Sequence, residues 1–175
     1  STNDKLKELA LKGAPEGTLV LAEHQTHGRG RLGRIWHSPF GGFYISALLY
    51  PLTPKQITDL PFLMGVCVIQ TLSQILPKVF ETSLKWPNDV LVNQKKIAGI
   101  LSEAFGENEF YGGVVGVGIN INTPFQQLED FQEQAFQATS VSALMEGDQV
   151  NLEEVLDVFQ LKLFNLYRFY QEKLR

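Results

Sequence analysis

Between Gly28 and Arg34 the chain runs Gly28-Arg29-Gly30-Arg31-Leu32-Gly33-Arg34, and no acidic residue occurs from His24 to Thr58. A stretch of this kind has no apolar stripe to bury. It therefore reads as part of a long loop, His24 to Gly42, carried by a folded scaffold on either side. Loops that long inside compact domains usually serve function or are disordered. Glycines allow backbone N–H groups to turn towards an anion, and arginines supply bidentate forks for phosphate or carboxylate. The segment is an anion-binding candidate. On its own it also fits a flexible arginine-glycine tail that touches RNA. No GxxxxGK[ST] run is present, so a P-loop is not on offer.

Composition weighs against the RNA reading. The 175 residues carry a formal net charge of -4, whereas general nucleic-acid binding needs many phosphate-neutralising cations on one face. Hydrophobic residues make up 44% and charged residues 19%, enough apolar material for one well-cored domain. The longest apolar stretch, Phe62 to Ile69, is interrupted by Gly65 and falls short of a membrane span; no signal segment opens the chain. A cytoplasmic protein without membrane attachment is the expectation. Cys67, the only cysteine, permits neither an internal disulfide nor a thiolate metal cluster and reads as core.

Hydrophobic periodicity predicts the elements. Ser1 to Asp4 offer cap residues for a short helix through Leu6, Leu9 and Ala10, stopped by Gly13 and Pro15. Thr18 to Glu23 and Phe43 to Tyr50 read as strands, the second broken by Pro51, Thr53 and Pro54. Thr58 or Asp59 caps a helix with Pro61 in its first turn and Pro77 at its end. Leu84 to Trp86, Val90 to Val92 and Ile97 to Glu103 form three short strands, the last two joined at Asn93-Gln94 as a hairpin; Tyr111 to Asn122 adds another. Residues 124 to 150 are ambiguous, with polar runs, a short helix around Thr139 to Met145, and no sign of chemistry. Asn151, with Glu154 three residues on, opens an amphipathic helix through Leu152, Val155, Leu156, Phe159, Leu163, Leu166 and Tyr170. The pattern predicts an α+β or mixed α/β fold with a mostly antiparallel or mixed sheet.

Three further segments are candidates for chemistry. Lys85-Trp86-Pro87-Asn88-Asp89 sets a cation, an amide and a carboxylate around a proline bend, suited to a triphosphate and its metal; it is also compatible with an ordinary turn. In Lys96-Ile97-Ala98-Gly99-Ile100-Leu101, strand alternation points Lys96, Ala98 and Ile100 to one face. That arrangement either desolvates the lysine beside an anion or leaves it at a sheet edge. Gly116-Val117-Gly118-Ile119-Asn120 has Ile121 where a dinucleotide fingerprint needs its third glycine, so a glycine-lined strand approaching a ligand is the better reading. His24, His27 and His37 lack a clustered carboxylate or cysteine and read as surface or loop residues.

In this order the four segments, with the opening Ser1-Thr2-Asn3, resemble the biotin protein ligases. That family carries a Ser-Thr-Asn, a GRGRxGRxW loop, a KWPND turn, a K-hydrophobic-AG strand and a GxGxN strand. The resemblance covers Ser1 to about Asn122. It implies a catalytic domain of the biotin/lipoate ligase type, with ATP and biotin as substrates, Mg2+, and a biotinyl-adenylate that is passed to a lysine of a biotin carboxyl carrier protein. It implies Lys96 as main catalytic cation in contact with the biotin carboxylate, Arg31 with Arg29 and Gly30 closing over biotin and the adenylate, and Lys85 assisting at the phosphates. Asp89 would contact Mg2+ or act as the base for the incoming lysine. Ser1, Thr2, Asn3, Gln25, Gly28, Arg29, Gly30, Gly99 and Gly116 would surround biotin. Arg34, Trp36, Asn88 and Asn120 would join Arg31 and Lys85 around the nucleotide.

The expected organisation is a single catalytic domain over 1–175, without the winged helix or the small SH3-like barrel of some relatives, and hence without DNA-binding repressor activity. A homodimer through the sheet edges is compatible with it. A lipoate protein ligase shares the adenylate chemistry, but that group carries an RRxSGGGxV-type loop where this chain has GRGRxGR. A non-catalytic RNA-binding module would leave Lys96 and the KWPND turn unexplained.

Overall fold

A computed structural model describes residues 1–50, 54–106, 112–129 and 137–174. Six strands build one sheet: β1 (Leu19–Ala22), β2 (Phe43–Leu49), β3 (Thr82–Lys85), β4 (Asp89–Val92), β5 (Lys95–Phe105) and β6 (Gly112–Ile119). Their order is β1-β2-β6-β5-β4-β3, and every pairing is antiparallel. Helices are α1 (Thr2–Leu11), α2 (Pro54–Ile57), α3 (Leu60–Ile75), α4 (Phe125–Glu129), α5 (Val141–Leu144) and α6 (Leu152–Leu174). The architecture is α+β, as expected. The proline break at 51–53, the strand start at Tyr111 and the polar run at 130–136 lie outside the described residues.

The two faces of the sheet have different fates. On one, α3 and α6 bury Met64, Cys67, Val68, Leu72, Val155 and Phe159 against Phe43, Ile45, Val115, Val117 and Ile119. Phe43 and Phe159 meet edge to face at 5.5 Å, a favoured aromatic geometry. Burial pushes the Cys67 thiol up to about 12, which keeps it a protonated core side chain. On the other face, one end is covered by α1, where Leu6 packs on Leu48 and Val114. The remainder of that face is where the site forms. β2 is buried along its whole length, which accounts for a near-continuous apolar run where a one-sided strand would alternate.

Local signals explain most boundaries. Ser1 and Asp4 make a capping box at the start of α1, Pro61 sits in the first turn of α3, and Asn151 Oδ1 accepts the Glu153 N–H at 2.9 Å to open α6. Asn93 and Gln94, both at positive φ, make the tight β4–β5 turn. Among the described residues, no helix is long and apolar enough to cross a membrane.

The structure corrects two expectations. β3 ends at Lys85, and Trp86 lies beyond it in a turn with a cis Trp86–Pro87 peptide. More consequentially, Lys96 does not share a face with Ala98 and Ile100. Val90 pairs with Ala98 while Leu91 pairs with Lys96, so Ile97 is an extra residue, a β-bulge that reverses the parity of the strand. Ile97, Ala98 and Ile100 all enter the core, and Lys96 is left on the open face with Gly99 and Leu101.

Candidate active site

The floor of the site is backbone. Gly99 pairs with Gly118, and Leu101 with Gly116, so three glycines of β5 and β6 face the open side together. A Cβ at Gly116 would lie 2.3 Å from Asn3 Oδ1, and one at Gly118 would lie 2.3 Å from Trp36 Nε1. Only glycine permits these approaches. The Trp36 indole thus rests directly on the sheet, with its Nε1 buried and without an acceptor.

At the α1 end, polar groups form a connected network. Ser46 Oγ lies 2.6 Å from Asn3 Oδ1 and 2.8 Å from the Thr2 hydroxyl. The Thr2 N–H donates to Gln25 Oε1 at 2.9 Å, and Gln25 Nε2 donates to Ser38 Oγ at 2.9 Å. Thr2 and Asn3 are buried, so this wall offers oriented donors and acceptors, suited to a polar heterocycle.

The arginine-glycine loop closes over the floor. It is more ordered than a featureless loop: Arg29 bridges Ile35, Gly30 N donates to Arg34 O at 2.7 Å, and Arg31–Gly33 make a single 3-10 turn. Two guanidinium groups fasten it on opposite sides. Arg31 Nη1 donates to Asn88 Oδ1 at 3.1 Å, while Arg29 Nη2 reaches the carboxylates of Asp4 and Glu103. Burial alone would raise both carboxyls, yet both stay below their ordinary values. Ser1 and Arg29 hold Asp4 down, and Lys7, Asn3 and Arg29 hold Glu103 down.

Opposite the loop stands Lys96. Its Nζ lies 3.2 Å from Asp89 Oδ1, an ion pair without the alignment of a hydrogen bond, and 5.4 Å from the centre of the Trp36 ring. Only 16% of either paired side chain is exposed. The backbone of Lys96 is clamped by residues that had shown no sign of chemistry: its N–H donates to Gln137 O at 2.8 Å, and its carbonyl accepts from Thr139 N at 2.9 Å. The Asn88 amide donates to Ile100 O at 3.2 Å, which fixes the turn that carries Lys85 and Asp89 beside β5.

The predicted residues thus converge on one cleft of about 270 Å³, with two exceptions. Gly28 stands behind the wall, where a Cβ would strike the Trp36 carbonyl at 2.2 Å, so it serves the crossing of the two loop limbs. Asn120 is buried outside the lining and donates to Thr139 O at 3.1 Å, bracing the segment that clamps Lys96. Ser46, Glu103 and the 137–139 segment were missed; the one available signal was a lone serine in the apolar run of β2.

Among the described residues, no group of three or more His, Cys, Asp or Glu is placed to hold a metal. His24 packs on Phe40 at 4.5 Å and His27 pairs with the Thr26 hydroxyl at 2.9 Å. Among the described residues Asp89 is the carboxylate paired with Lys96, and a single carboxylate suits Mg2+ only when phosphate oxygens supply much of its remaining shell.

The chain belongs to the biotin/lipoate A/B protein ligase family, whose profile it matches over residues 1–120. It is similar to the bifunctional ligase/repressor BirA of Bacillus subtilis, 39% identical over 173 residues that cover 97% of this chain and 52% of that protein. With the biotin--[acetyl-CoA-carboxylase] ligase of Paracoccus denitrificans it shares 37% identity over 123 residues, 69% of this chain and 51% of that protein. The chain therefore spans about half the length of these relatives. A biotin protein ligase from Aquifex aeolicus, solved in complex with biotin and ATP, superposes with a TM-score of 0.80 at 34% identity, covering 99% of this chain and 68% of that one.

Proposed function

We propose that this domain activates biotin with ATP as biotinyl-5'-AMP and transfers the biotinyl group to a lysine of a biotin carboxyl carrier protein. The observation that carries the reading is the placement of Lys96, set by the bulge on the open face of β5, beside Asp89 and across a glycine floor from the arginine loop. In the first step a carboxylate oxygen of biotin attacks the α-phosphorus, and pyrophosphate leaves with the electron pair of the cleaved bond. Attacker and target are both anionic, so cations fixed around them are the main source of acceleration. Lys96, Arg31 and Lys85 take that role, and the Thr2–Asn3–Gln25 wall orients the ureido ring. Asp89 would be the carboxylate to hold Mg2+ bound to the triphosphate, where the metal would offset phosphate charge.

In the second step the carrier amine attacks the acyl carbon, AMP leaves, and the amine proton passes to Asp89 or to water. Loop closure keeps water from the anhydride until then. Support comes from the Aquifex aeolicus relative solved with biotin and ATP. The test is pyrophosphate release from ATP with biotin, with lipoate, and with neither acid. Release with biotin alone is expected, and release with lipoate alone would move the chain to the lipoate branch.

A further inference from the structure

The Arg29 guanidinium is not presented to the cleft as a free cation. Its Nη2 contacts Asp4 on α1 and lies 2.9 Å from Glu103 Oε2 on β5. Glu103 is committed in turn: Oε1 accepts from Lys7 Nζ at 2.8 Å, and Oε2 also accepts from Asn3 Nδ2 at 2.7 Å. One carboxylate, 20% exposed, thus joins helix, sheet and loop. Asp4 and Glu103, the latter shared with Lys7, offset part of the field Arg29 would exert on a phosphate or carboxylate in the cleft and hold its guanidinium on the outer side of the loop. Arg31, pinned only by the neutral Asn88 amide among its described contacts, keeps its charge for the cleft. From this we infer that Glu103, with Asp4, is a positioning residue: it seats Arg29 as the anchor of the loop and fixes the orientation of the Asn3 amide beside Gly116. Arg29 then acts by holding the loop shut, and Arg31 by charge.

This inference rests on the ligase reading for its catalytic consequence, though not for its structural one. A structural readout that needs no substrate is limited trypsinolysis, because the loop carries cleavable bonds after Arg29, Arg31 and Arg34. Glu103→Gln keeps the shape and removes the charge. It is expected to speed cleavage at these three bonds by roughly tenfold, since cleavage follows local opening. Cleavage after Lys162 and Arg168 on α6 should stay at the native rate. Lys7→Ala, which removes another partner of Glu103 and leaves the loop alone, should leave loop cleavage unchanged. With biotin and ATP, Glu103→Gln should raise KM for biotin and the fraction of biotinyl-adenylate escaping into solution more than it lowers kcat for adenylate formation. Loop cleavage at the native rate in Glu103→Gln would overturn the inference, and so would faster cleavage along the whole chain. If the native protein forms no adenylate, the trypsin result still judges the anchor, and only the ligase reading fails.

Discussion

The Lys96 ammonium lies in a cleft with the Asp89 carboxylate and the Trp36 indole among its described neighbours. Its charge is held in place before any ligand arrives, so little reorganisation is needed when an anion enters. Lys96→Ala and Arg31→Ala are each expected to slow biotin-dependent pyrophosphate release by about a hundredfold, with far-UV circular dichroism unchanged. Native rates in both variants would sink the assignment. Glu103 makes a separate prediction through pH. Its folded pKa lies below the ordinary 4.5, so its stabilisation is fully present above that value and fades as pH falls through the lower folded value. The thermal deficit of Glu103→Gln should therefore be constant near neutrality and disappear only in acid, as melting curves at stepped pH would read. Residues in contiguous motifs were legible because spacing along the chain carried their chemistry. Ser46 and Glu103 were not, because the Asn3 side chain that each one meets is 43 and 100 positions away.

At the level of elements, the helices and most strands follow from periodicity, caps and prolines. The bulge in β5 escaped for a specific reason: Ile97 and Ala98 are both apolar, so the residue that reverses the strand leaves no break in the hydrophobic pattern. Its consequence is chemical, since it moves Lys96 from one side of the sheet to the other. The neighbouring turn offers a clean test of backbone energetics. Gln94 is exposed at φ 66, where a side chain costs about 1 kcal/mol relative to glycine. Gln94→Gly is expected to raise the melting temperature by about 2–4 °C and to leave ligand binding unchanged. A lower melting temperature would mean that the Gln94 side chain has a stabilising partner.

Across the molecule, the cleft draws its walls from the first residues of the chain, the arginine loop, the β3–β4 turn and two central strands, with the 137–139 segment holding the Lys96 backbone from behind. It forms only once distant pairings such as β2 with β6 are made. The core that supports those pairings hinges on Phe159, fully buried between α3 and the sheet. Phe159→Ala should cost about 3–5 kcal/mol, measured by urea denaturation, and should weaken biotin binding only as far as the folded fraction falls. A selective loss of binding in protein that remains folded would show that α6 shapes the site directly. The glycines beneath the cleft carry a different implication, for the history and engineering of the site. A recognition surface made of main chain has no side chain to trim. Every single substitution at Gly99, Gly116 or Gly118 therefore adds bulk that must first displace Trp36 or Asn3, so point changes there alter the range of accepted ligands by moving those two side chains.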